Sequence, residues 1–440
     1  MTGVPGSLRW LVPGLRLKRW LACMIIGGLI LVMGGALAMH GQSLDMLHLP
    51  NRAIRLIARR WPNIIEDEAL ATWLGAAASI AGAALIFHGG AMLSRSLGLI
   101  GSSNADSSGG AVNSFLRNRL LAQGPSIVVI GGGTGLSTML RGLKNYSSNI
   151  TAVVTVTDDG GSSGALQQQL NMPPPGDIRN CLVALADAET AMTDLFQYRF
   201  RGDNVAGGLR DHAFGNILIA AMMGVANDDF QAAVQFTSRV LKIRGTVLPS
   251  TLTQVRLRGE MDDGNTIMGE TSIVHHPSRI RRVSLDPGDA AAPPEVVEAI
   301  TAADIVVIGP GSVYTSVIPN LLVKGIPEAL YRTRARRVYV CNVMTQPGES
   351  DGFTASDHLA AIETHVPRPI VDYVIINNAV PSLDVLNRYR QSGAILVEPD
   401  ADRIRAKGYR PVLGTFMNQT DMVRHDPDRL AQAILRLFRP

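Results

Sequence analysis

Residues 126–137 read SIVVIGGGTGLS, an apolar run followed by four glycines within five residues. Ser126–Ile130 is a short, β-branched apolar run that predicts a buried strand, and the residues from Leu136 to Tyr146 have helical spacing. Glycines between a strand and a helix let backbone N–H groups approach oxyanions, and the helix N-terminus adds a favourable dipole. The stretch therefore predicts a phosphate-binding turn. It matches neither the dinucleotide fingerprint nor a P-loop, so a tight turn without a ligand is the alternative.

The next predicted strand, Ile150–Thr157, ends in two adjacent acids, Asp158 and Asp159. Ligands of open α/β sheets bind beyond the carboxyl ends of the strands, so we expect both carboxylates to face the same crevice as the glycine turn. Carboxylates at this place bind ribose hydroxyls in some proteins and hold Mg²⁺ against a diphosphate in others. An ordinary turn, in which Asp and Gly are common, is the structural alternative.

Two further segments add polar side chains. Asp177 is placed to cap a helix predicted at 178–187, whereas Arg179 and Asn180 in its first turn are candidates to contact a phosphate or a base. A second predicted helix start carries His212 and Asn216. We treat His212 as a catalytic candidate, although a lone histidine is more often structural.

Asp304–Ile308 predicts another parallel strand, and it is followed by GPGSVYTS at 309–316. This second loop, rich in glycine and hydroxyl side chains, would contact a diphosphate on the side opposite the first glycine loop. Strands are also predicted at 337–341 and 373–376, and runs at 253–258 and 265–268 around an Asp-Gly turn predict a small β insert. The predicted fold class is α/β, a Rossmann-like, doubly wound and mostly parallel sheet with a small β insert.

Charge divides the 440 residues into two regions. The first 100 residues carry nine Lys or Arg and four Asp or Glu, and the other 340 carry 32 and 33, so the pI of about 9.1 reflects the N-terminal region. A body without surplus positive charge argues against a duplex-binding face, and we expect no nucleic acid partner. Three distant cysteines, Cys23, Cys181 and Cys341, indicate neither a disulfide framework nor a zinc site.

Two charge-free apolar stretches, about 20–42 and 69–94, each exceed the roughly 20 residues that a helix needs to cross a bilayer. They predict two transmembrane helices ahead of the α/β sheet, with buried core helices or a cleavable signal peptide as alternatives. Four basic residues precede the first stretch, with no acid among them, and favour a cytoplasmic N-terminus: Arg9, Arg16, Lys18 and Arg19.

The predicted organisation has three parts. Residues 1–100 are a membrane segment, 101–122 a flexible Gly/Ser-rich linker, and 123–440 a nucleotide-binding domain. Because two spans return the chain to its starting side, we expect a multi-pass protein of the inner (cytoplasmic) membrane with its globular domain in the cytoplasm. A transporter is disfavoured, because neither span contains a charged residue.

Six motifs occur in order along the body: GGGTGLS (131–137), TDDGGSSG (157–164), PPGDIRNCL (174–182), HAFGN (212–216), GPGSVYTSVIPNLL (309–322) and CNVMTQPGE (341–349). Together they resemble the YvcK group of the CofD-like family, often called gluconeogenesis factors, over roughly residues 125–435. The CofD branch transfers a phospholactyl-type group from a guanosine diphosphate adduct to a deazaflavin with Mg²⁺. The YvcK branch binds UDP-sugars such as UDP-N-acetylglucosamine and supports cell shape and wall synthesis during gluconeogenic growth.

The residues and the resemblance together give a candidate site. Its catalytic candidates are Asp158, Asp159 and His212, with Asp158 as the candidate Mg²⁺ ligand. The candidate nucleotide-binding residues are Gly131, Gly132, Gly133, Thr134, Gly135, Asn180, Asn216, Gly309, Pro310, Gly311, Ser312 and Thr315.

The resemblance implies a membrane-anchored UDP-sugar-binding regulator. The alternative is a Mg²⁺-dependent transferase that acts on a nucleoside diphosphate adduct. We expect Mg²⁺ as the candidate cofactor and no organic cofactor. The expected partners are a UDP-sugar, the lipid bilayer, a second copy of the chain in a homo-oligomer, and a protein of envelope synthesis.

Overall fold

The computed structural model describes residues 17–38, 68–96, 119–187, 189–201, 208–419 and 422–438. The chain divides into two compact units, residues 1–118 and 119–440. Most of the predicted linker, residues 101–118, lies outside the described residues, as do Arg9 and Arg16.

The first unit contains two described helices, α1 (Leu17–Ala38) and α2 (Glu68–Ser96). They pack antiparallel through glycines. A Cβ atom added at Gly34 would lie 2.7 Å from the carbonyl oxygen of Gly75, and one at Gly82 would lie 2.6 Å from that of Gly27. Small residues at these points are what allows two helix backbones to approach so closely.

Within the described residues, one single helix is long and apolar enough to cross a membrane, Thr72–Leu93 inside α2. The apolar part of α1, Arg19–Gly35, is shorter. The predicted pair of transmembrane helices is therefore supported for one helix only. α1 has the charged Lys18 and Arg19 in its first turn, which shortens its apolar part, and residues 39–42 of the predicted stretch lie outside the described residues.

The second unit is built on a seven-stranded sheet in which every neighbouring pair is parallel, in the order β10-β9-β8-β7-β1-β2-β3. These strands are β1 (Ile127–Gly131), β2 (Ile150–Val154), β3 (Thr246–Pro249), β7 (Ile305–Ile308), β8 (Arg336–Val340), β9 (Tyr373–Asn377) and β10 (Arg410–Gly414). The predicted α/β fold with a mostly parallel sheet is confirmed.

The helices of this unit connect the strands. They are α3 (Gly133–Leu143), α4 (Gly161–Leu170), α5 (Gly176–Leu185), α6 (Glu189–Gln197), α7 (Phe214–Val225), α8 (Phe230–Leu241), α9 (Glu270–Val274), α10 (Pro294–Ala302), α11 (Ile318–Leu321), α12 (Ile326–Arg332), α13 (Ala355–His365), α14 (Leu383–Gln391), α15 (Ala401–Ala406) and α16 (Pro427–Phe438). A π-helical turn, Val313–Val317, precedes α11.

The central strands β1 and β7 are buried along their whole length. Continuous β-branched runs are typical of parallel strands whose two faces are both covered. Because Gly131 pairs with Val154 of β2, and Ile130 with Ile308 of β7, the three strands end at one level. Strand order reverses between β1 and β7, and such a switch point opens a ligand crevice beyond the carboxyl ends.

The predicted β insert is confirmed as a three-stranded antiparallel sheet in the order β5-β4-β6, formed by β4 (Arg256–Met261), β5 (Thr266–Met268) and β6 (Ile280–Asp286). Its first strand begins three residues later than the predicted 253–258. The chain also contains a hairpin that the sequence did not predict, β11 (Met417–Gln419) and β12 (Val423–His425).

Candidate functional site

A cavity of about 690 Å³ opens at the switch point between β1 and β7. The predicted residues that line it are Gly132, Gly133, Thr134, Gly135, Asp158, Pro310, Gly311 and Ser312. The opposite wall comes from the loop after β8 (342–347), from α14 and from the β11–β12 hairpin. Both predicted glycine loops therefore face one space, as their positions after two adjacent strands require.

The two glycine loops touch each other. A Cβ atom on Gly135 would lie 2.6 Å from the carbonyl oxygen of Pro310, so a side chain there would force the loops apart. Gly133 has φ of 66°, a backbone conformation that side-chain-bearing residues adopt rarely. The turn therefore requires glycine for two reasons: the close approach of the second loop at Gly135 and the left-handed backbone at Gly133.

Asp177 contacts the first glycine loop. Its Oδ2 accepts a hydrogen bond from the Gly133 N–H at 2.7 Å, across 44 residues of sequence. The prediction that Asp177 caps its own helix is wrong, because α5 already begins at Gly176 and its N-cap, Pro175, has no side-chain hydrogen bond. A carboxylate thus occupies one of the N–H donors that a phosphate would use.

Three carboxyl groups around the cavity have raised pKa values, and burial is the largest cause for each. The pKa of Asp177 is raised to about 6, and the charge of Asp158 adds to the effect. The pKa of Glu270 is raised to about 9, with further contributions from Asp158 and Asp177. The pKa of Glu349 is raised to about 7, although hydrogen bonds from Ser312 and Thr315 lower it. Negative charge is therefore unfavourable in the site until a cation or a proton offsets it.

Sequence reasoning missed Glu270 and Glu349 as site residues. Glu270 begins α9 in the β insert, and no local pattern marks it. Glu349 belongs to the CNVMTQPGE motif, so that motif was a signal that could have identified it. Its Oε1 accepts a hydrogen bond from the Thr315 hydroxyl at 3.2 Å, and its Oε2 is buried without a partner.

A second cavity of about 270 Å³ adjoins the first. Asp158 and Asp177 line both cavities, so they form a shared wall between two lobes of one site. The smaller lobe also contains the predicted Asn180 and Asn216, which accept hydrogen bonds at 3.0 Å from the buried guanidinium of Arg179. Arg179 therefore provides positive charge next to the two acids.

His212 is buried behind Ser162 rather than in a cavity wall. The Ser162 Oγ lies 3.1 Å from His212 Nδ1 and accepts hydrogen bonds from the Asn216 side chain at 3.0 Å and the Ala213 N–H at 3.3 Å. With both acceptor sites of the hydroxyl used, its own proton is donated to His212 Nδ1, which places the ring proton on Nε2. His212 thus positions Ser162, and Ser162 lines the smaller lobe.

Besides His212, four further predicted residues lie outside the cavity walls. The Gly131 carbonyl accepts from the Thr155 N–H at 2.9 Å inside the sheet. Gly309 donates its N–H to Ile130 at 2.8 Å and forms the turn after β7. Thr315 is buried against Glu349. Asp159 accepts from both the N–H and the hydroxyl of Thr271, at 3.0 and 2.7 Å, and so connects the sheet to the β insert.

Within the described ranges, no three His, Cys, Asp or Glu side chains are grouped to hold a metal ion. Mg²⁺ usually binds through one or two carboxylates together with substrate phosphates. Asp158 and Asp177 fit that pattern, since they line the same space and the charge of Asp158 raises the pKa of Asp177. One oxygen of Asp158 accepts from the Gly160 N–H at 3.0 Å, which orients the carboxylate.

Comparison with known proteins places the second unit in a family. Residues 127–417 match the family model of "2-phospho-L-lactate transferase CofD". A gluconeogenesis factor of Halalkalibacterium halodurans is 48% identical over 311 residues, which are 70% of this chain and 95% of that protein. A gluconeogenesis factor of Bacillus subtilis is 43% identical over 322 residues, 72% of this chain and 100% of that protein.

Two further relatives extend the comparison. A protein of Nostoc sp. is 43% identical over 434 residues, 98% of this chain and 92% of its own length, so the similarity includes the N-terminal unit. The crystal structure of a UPF0052 family member from Bacillus halodurans has a TM-score of 0.68 and 47% identity, and the match covers 71% of this chain and 99% of that one. The resemblance drawn from the six motifs is confirmed, and the chain belongs to the CofD-like family, in its group of gluconeogenesis factors.

Proposed function

We propose that this protein is a membrane-anchored, UDP-sugar-binding regulator that supports cell shape and wall synthesis during gluconeogenic growth. The observation that carries the proposal is the pair of glycine loops, which flank the switch point and line one cavity of about 690 Å³. Small-molecule sites typically measure ~300–1,000 Å³ and combine an enclosed space with a few placed polar groups. A nucleotide diphosphate with an attached sugar matches such a site.

The backbone would provide most of the phosphate binding. Thr134 and Gly135 belong to the first turn of α3, where N–H groups point outward and the helix dipole favours an anion. Gly311 and Ser312 approach from the second loop. Asp158 and Asp177 would hold Mg²⁺, which would offset the phosphate charge.

The two-lobed shape fits a ligand with two parts. The larger lobe would take the nucleoside and diphosphate, with Asn342, Gln346 and Tyr389 on its far wall. The smaller lobe has Arg179 and Arg199 in its wall next to neutral amides and hydroxyls. Hydroxyl-rich sugars are bound by such donors and acceptors, so this lobe would take the sugar.

The proposed anchor is a hairpin of α1 and α2 in the inner membrane, with the second unit in the cytoplasm. Large apolar side chains point away from the helix pair, such as Leu29, Trp73 and Phe87, which are 62%, 77% and 81% exposed. Because α1 packs on α2 through glycines, both helices share one environment. Exposed apolar surface on both members favours lipid as that environment.

Binding of UDP-N-acetylglucosamine to a fragment of residues 119–440 tests the nucleotide site. The fragment is justified because relatives of this length fold and crystallise without an N-terminal unit. Calorimetry should show binding that Mg²⁺ strengthens. Gly135→Ala should abolish it, whereas Gly224→Ala, whose added Cβ meets open space, should not. Absence of binding to any UDP-sugar, with and without Mg²⁺, would remove the proposal's support.

The anchor and the cellular role need separate measurements. The full chain should stay in the membrane pellet after alkaline carbonate extraction, and release into the supernatant would contradict the anchor. Cells that lack the protein should lose their shape on gluconeogenic carbon sources and keep it on glucose. Rescue by Gly224→Ala but not by Gly135→Ala would connect that phenotype to the site.

A transferase is the second candidate, and the carboxylates beside the glycine loop favour it. Asp158 and Asp177 lie where a metal ion would stabilise charge on a leaving phosphate. An acceptor hydroxyl would lose its proton to a base and attack the outer phosphorus of the diphosphate. The bridging P–O bond would then break, and a nucleoside monophosphate would leave. Steady release of that product, abolished by Asp158→Asn, would establish the enzyme. Recovery of intact ligand after long incubation would establish the regulator.

A further inference from the structure

A basic surface lies at the amino-terminal ends of β8, β9 and β10. The nucleotide cavity lies at the other end of the strands, beyond their carboxyl ends. We call this basic surface the basic edge, and it consists of Arg334, Arg336, Arg337, Arg368, Lys407 and Arg410. The segments that lead into these strands, 333–337, 366–373 and 407–410, contain these six cations and a single acid, Asp372. A cavity of about 490 Å³ lies among five of the six, with Arg368 beside it.

The cations at the basic edge are incompletely neutralised. Asp372 is bound by Arg337 through two hydrogen bonds of 2.6 and 3.0 Å, and Lys407 pairs with Glu363 at 2.7 Å. Arg336 and Arg410 instead contact uncharged groups. The first donates to a backbone carbonyl near the end of α16, and the second lies over the Tyr373 ring, 5.5 Å from its centroid. Such contacts orient a guanidinium but leave its charge in place.

The opposite edge of the same sheet carries carboxyl groups. Asp158, Asp177 and Glu270 line the nucleotide cavity beyond the carboxyl ends of the strands, and Glu349 is near enough to Glu270 to raise its pKa. The second unit begins with a helical turn, residues 119–122, that leads into the amino end of β1. Because the sheet is parallel, the chain joins this unit at the same edge that carries the basic surface.

We infer that the basic edge binds the anionic phospholipid headgroups of the cytoplasmic leaflet. Guanidinium groups bind phosphate oxygens through paired, charge-assisted hydrogen bonds, and an anionic leaflet attracts clustered Lys and Arg. The inference rests on the membrane-anchored part of the proposed function, since a tethered domain meets the leaflet at high local concentration. Binding at this edge places the acidic cavity on the side away from the lipid, open to soluble ligands.

Vesicle co-sedimentation of the 119–440 fragment tests the basic edge without the anchor. The fragment should bind phosphatidylcholine vesicles with about one third phosphatidylglycerol, and should not bind pure phosphatidylcholine. Each basic residue near such a surface contributes about fivefold in affinity. The triple variant Arg334→Glu, Arg368→Glu, Arg410→Glu should therefore bind at least about 100-fold more weakly. All three side chains are exposed, so the fold should persist.

A matched control changes the net charge equally at another place. Arg258→Glu, Arg279→Glu and Arg281→Glu replace three exposed arginines of the β insert, and this variant should retain vesicle binding. Equal loss in both triple variants would overturn the inference, because net charge alone would then explain binding. Equal binding of the fragment to neutral and anionic vesicles would overturn the inference as well. So would release of the fragment from anionic vesicles by millimolar inorganic phosphate, or binding of the fragment to RNA in preference to vesicles.

The outcomes separate this inference from the proposal on which it rests. If carbonate releases the full chain while the fragment still binds anionic vesicles, the anchor fails and the basic edge stands. If the full chain stays in the membrane pellet after carbonate extraction while the fragment does not bind anionic vesicles, the lipid-binding role of the basic edge is refuted and the anchor is supported. UDP-sugar binding is measured without vesicles, so it is independent of both results.

Discussion

Asp177 lies where a nucleotide phosphate would bind the first glycine loop, so the substitution Asp177→Asn tests the site directly. The Asp177 carboxylate accepts the Gly133 N–H at 2.7 Å. A phosphate oxygen needs that same donor and is repelled by the charge. Asparagine keeps the size of the side chain and a carbonyl acceptor, and it removes the charge. The variant should therefore bind nucleotides more tightly in the absence of Mg²⁺.

The magnitude follows from the protonation of Asp177. Burial raises its pKa to about 6. If phosphate binds only when the carboxyl is neutral, the apparent affinity scales with the neutral fraction. With a pKa of about 6, that fraction is about one half at pH 6 and about 3% at pH 7.5. Without Mg²⁺, Asp177→Asn should bind UDP-N-acetylglucosamine about 30-fold more tightly than wild type at pH 7.5, and only about twofold at pH 6.

Calorimetry on the 119–440 fragment at both pH values measures these ratios, with Asp289→Asn as the control for the same chemical change at an exposed position. Addition of Mg²⁺ should strengthen wild-type binding and reduce the advantage of Asp177→Asn, because the cation offsets the carboxylate. Weaker binding by Asp177→Asn at pH 7.5 would refute the reasoning and indicate that the carboxylate itself contacts the ligand. So would a wild-type affinity that stays constant between pH 6 and pH 8.

Three further predictions concern the same site. Glu349 has a pKa raised from 4.5 to about 7, so its contribution to stability is full below about pH 4.5 and is lost as pH rises through 7. In urea unfolding, wild type should therefore lose about 2.5 kcal/mol relative to Glu349→Gln between pH 5 and pH 8. Gly135→Ala should abolish UDP-sugar binding by calorimetry while Gly224→Ala retains it, because only the first places a Cβ 2.6 Å from a backbone oxygen of the second loop. Asp159→Asn should weaken the bonds to Thr271 and speed hydrogen exchange in α9 with unchanged affinity; lost affinity would give Asp159 a role in the site instead.

The central part of the fold was predictable from local sequence. β1 and β7 are short apolar runs that end in glycine loops, and the register brings those loops to one level. The strands at the periphery carry a weaker sequence signal. β10 contains a proline and is partly exposed, and β11 and β12 have three residues each. Strands this short carry no alternation that distinguishes them from loops, and they form because the surrounding fold supplies their partners.

The candidate site was predictable where its residues follow the strands and unpredictable where the fold supplies them from a distance. Glycines and acids directly after β1, β2 and β7 line the cavity. The partner of Asp177 lies 44 residues away, and helix capping is the stronger expectation from local sequence. Glu270 reaches the cavity because the β insert folds over it, which no local pattern indicates.

The basic edge shows why the near-neutral charge of the body was a poor guide to its surfaces. Residues 101–440 hold 32 basic and 33 acidic side chains, and that balance excludes a surplus of charge but not its separation. A parallel sheet separates charge readily, because every loop before a strand lies at one edge and every loop after a strand lies at the other. Here the loops before β8, β9 and β10, together with the first residues of β8 and β10, carry the cations, and the loops after β2 and β8 carry Asp158 and Glu349. Anion binding must therefore use different chemistry at the two edges: backbone N–H groups and a counter-cation at the acidic cavity, and side-chain charge at the basic edge.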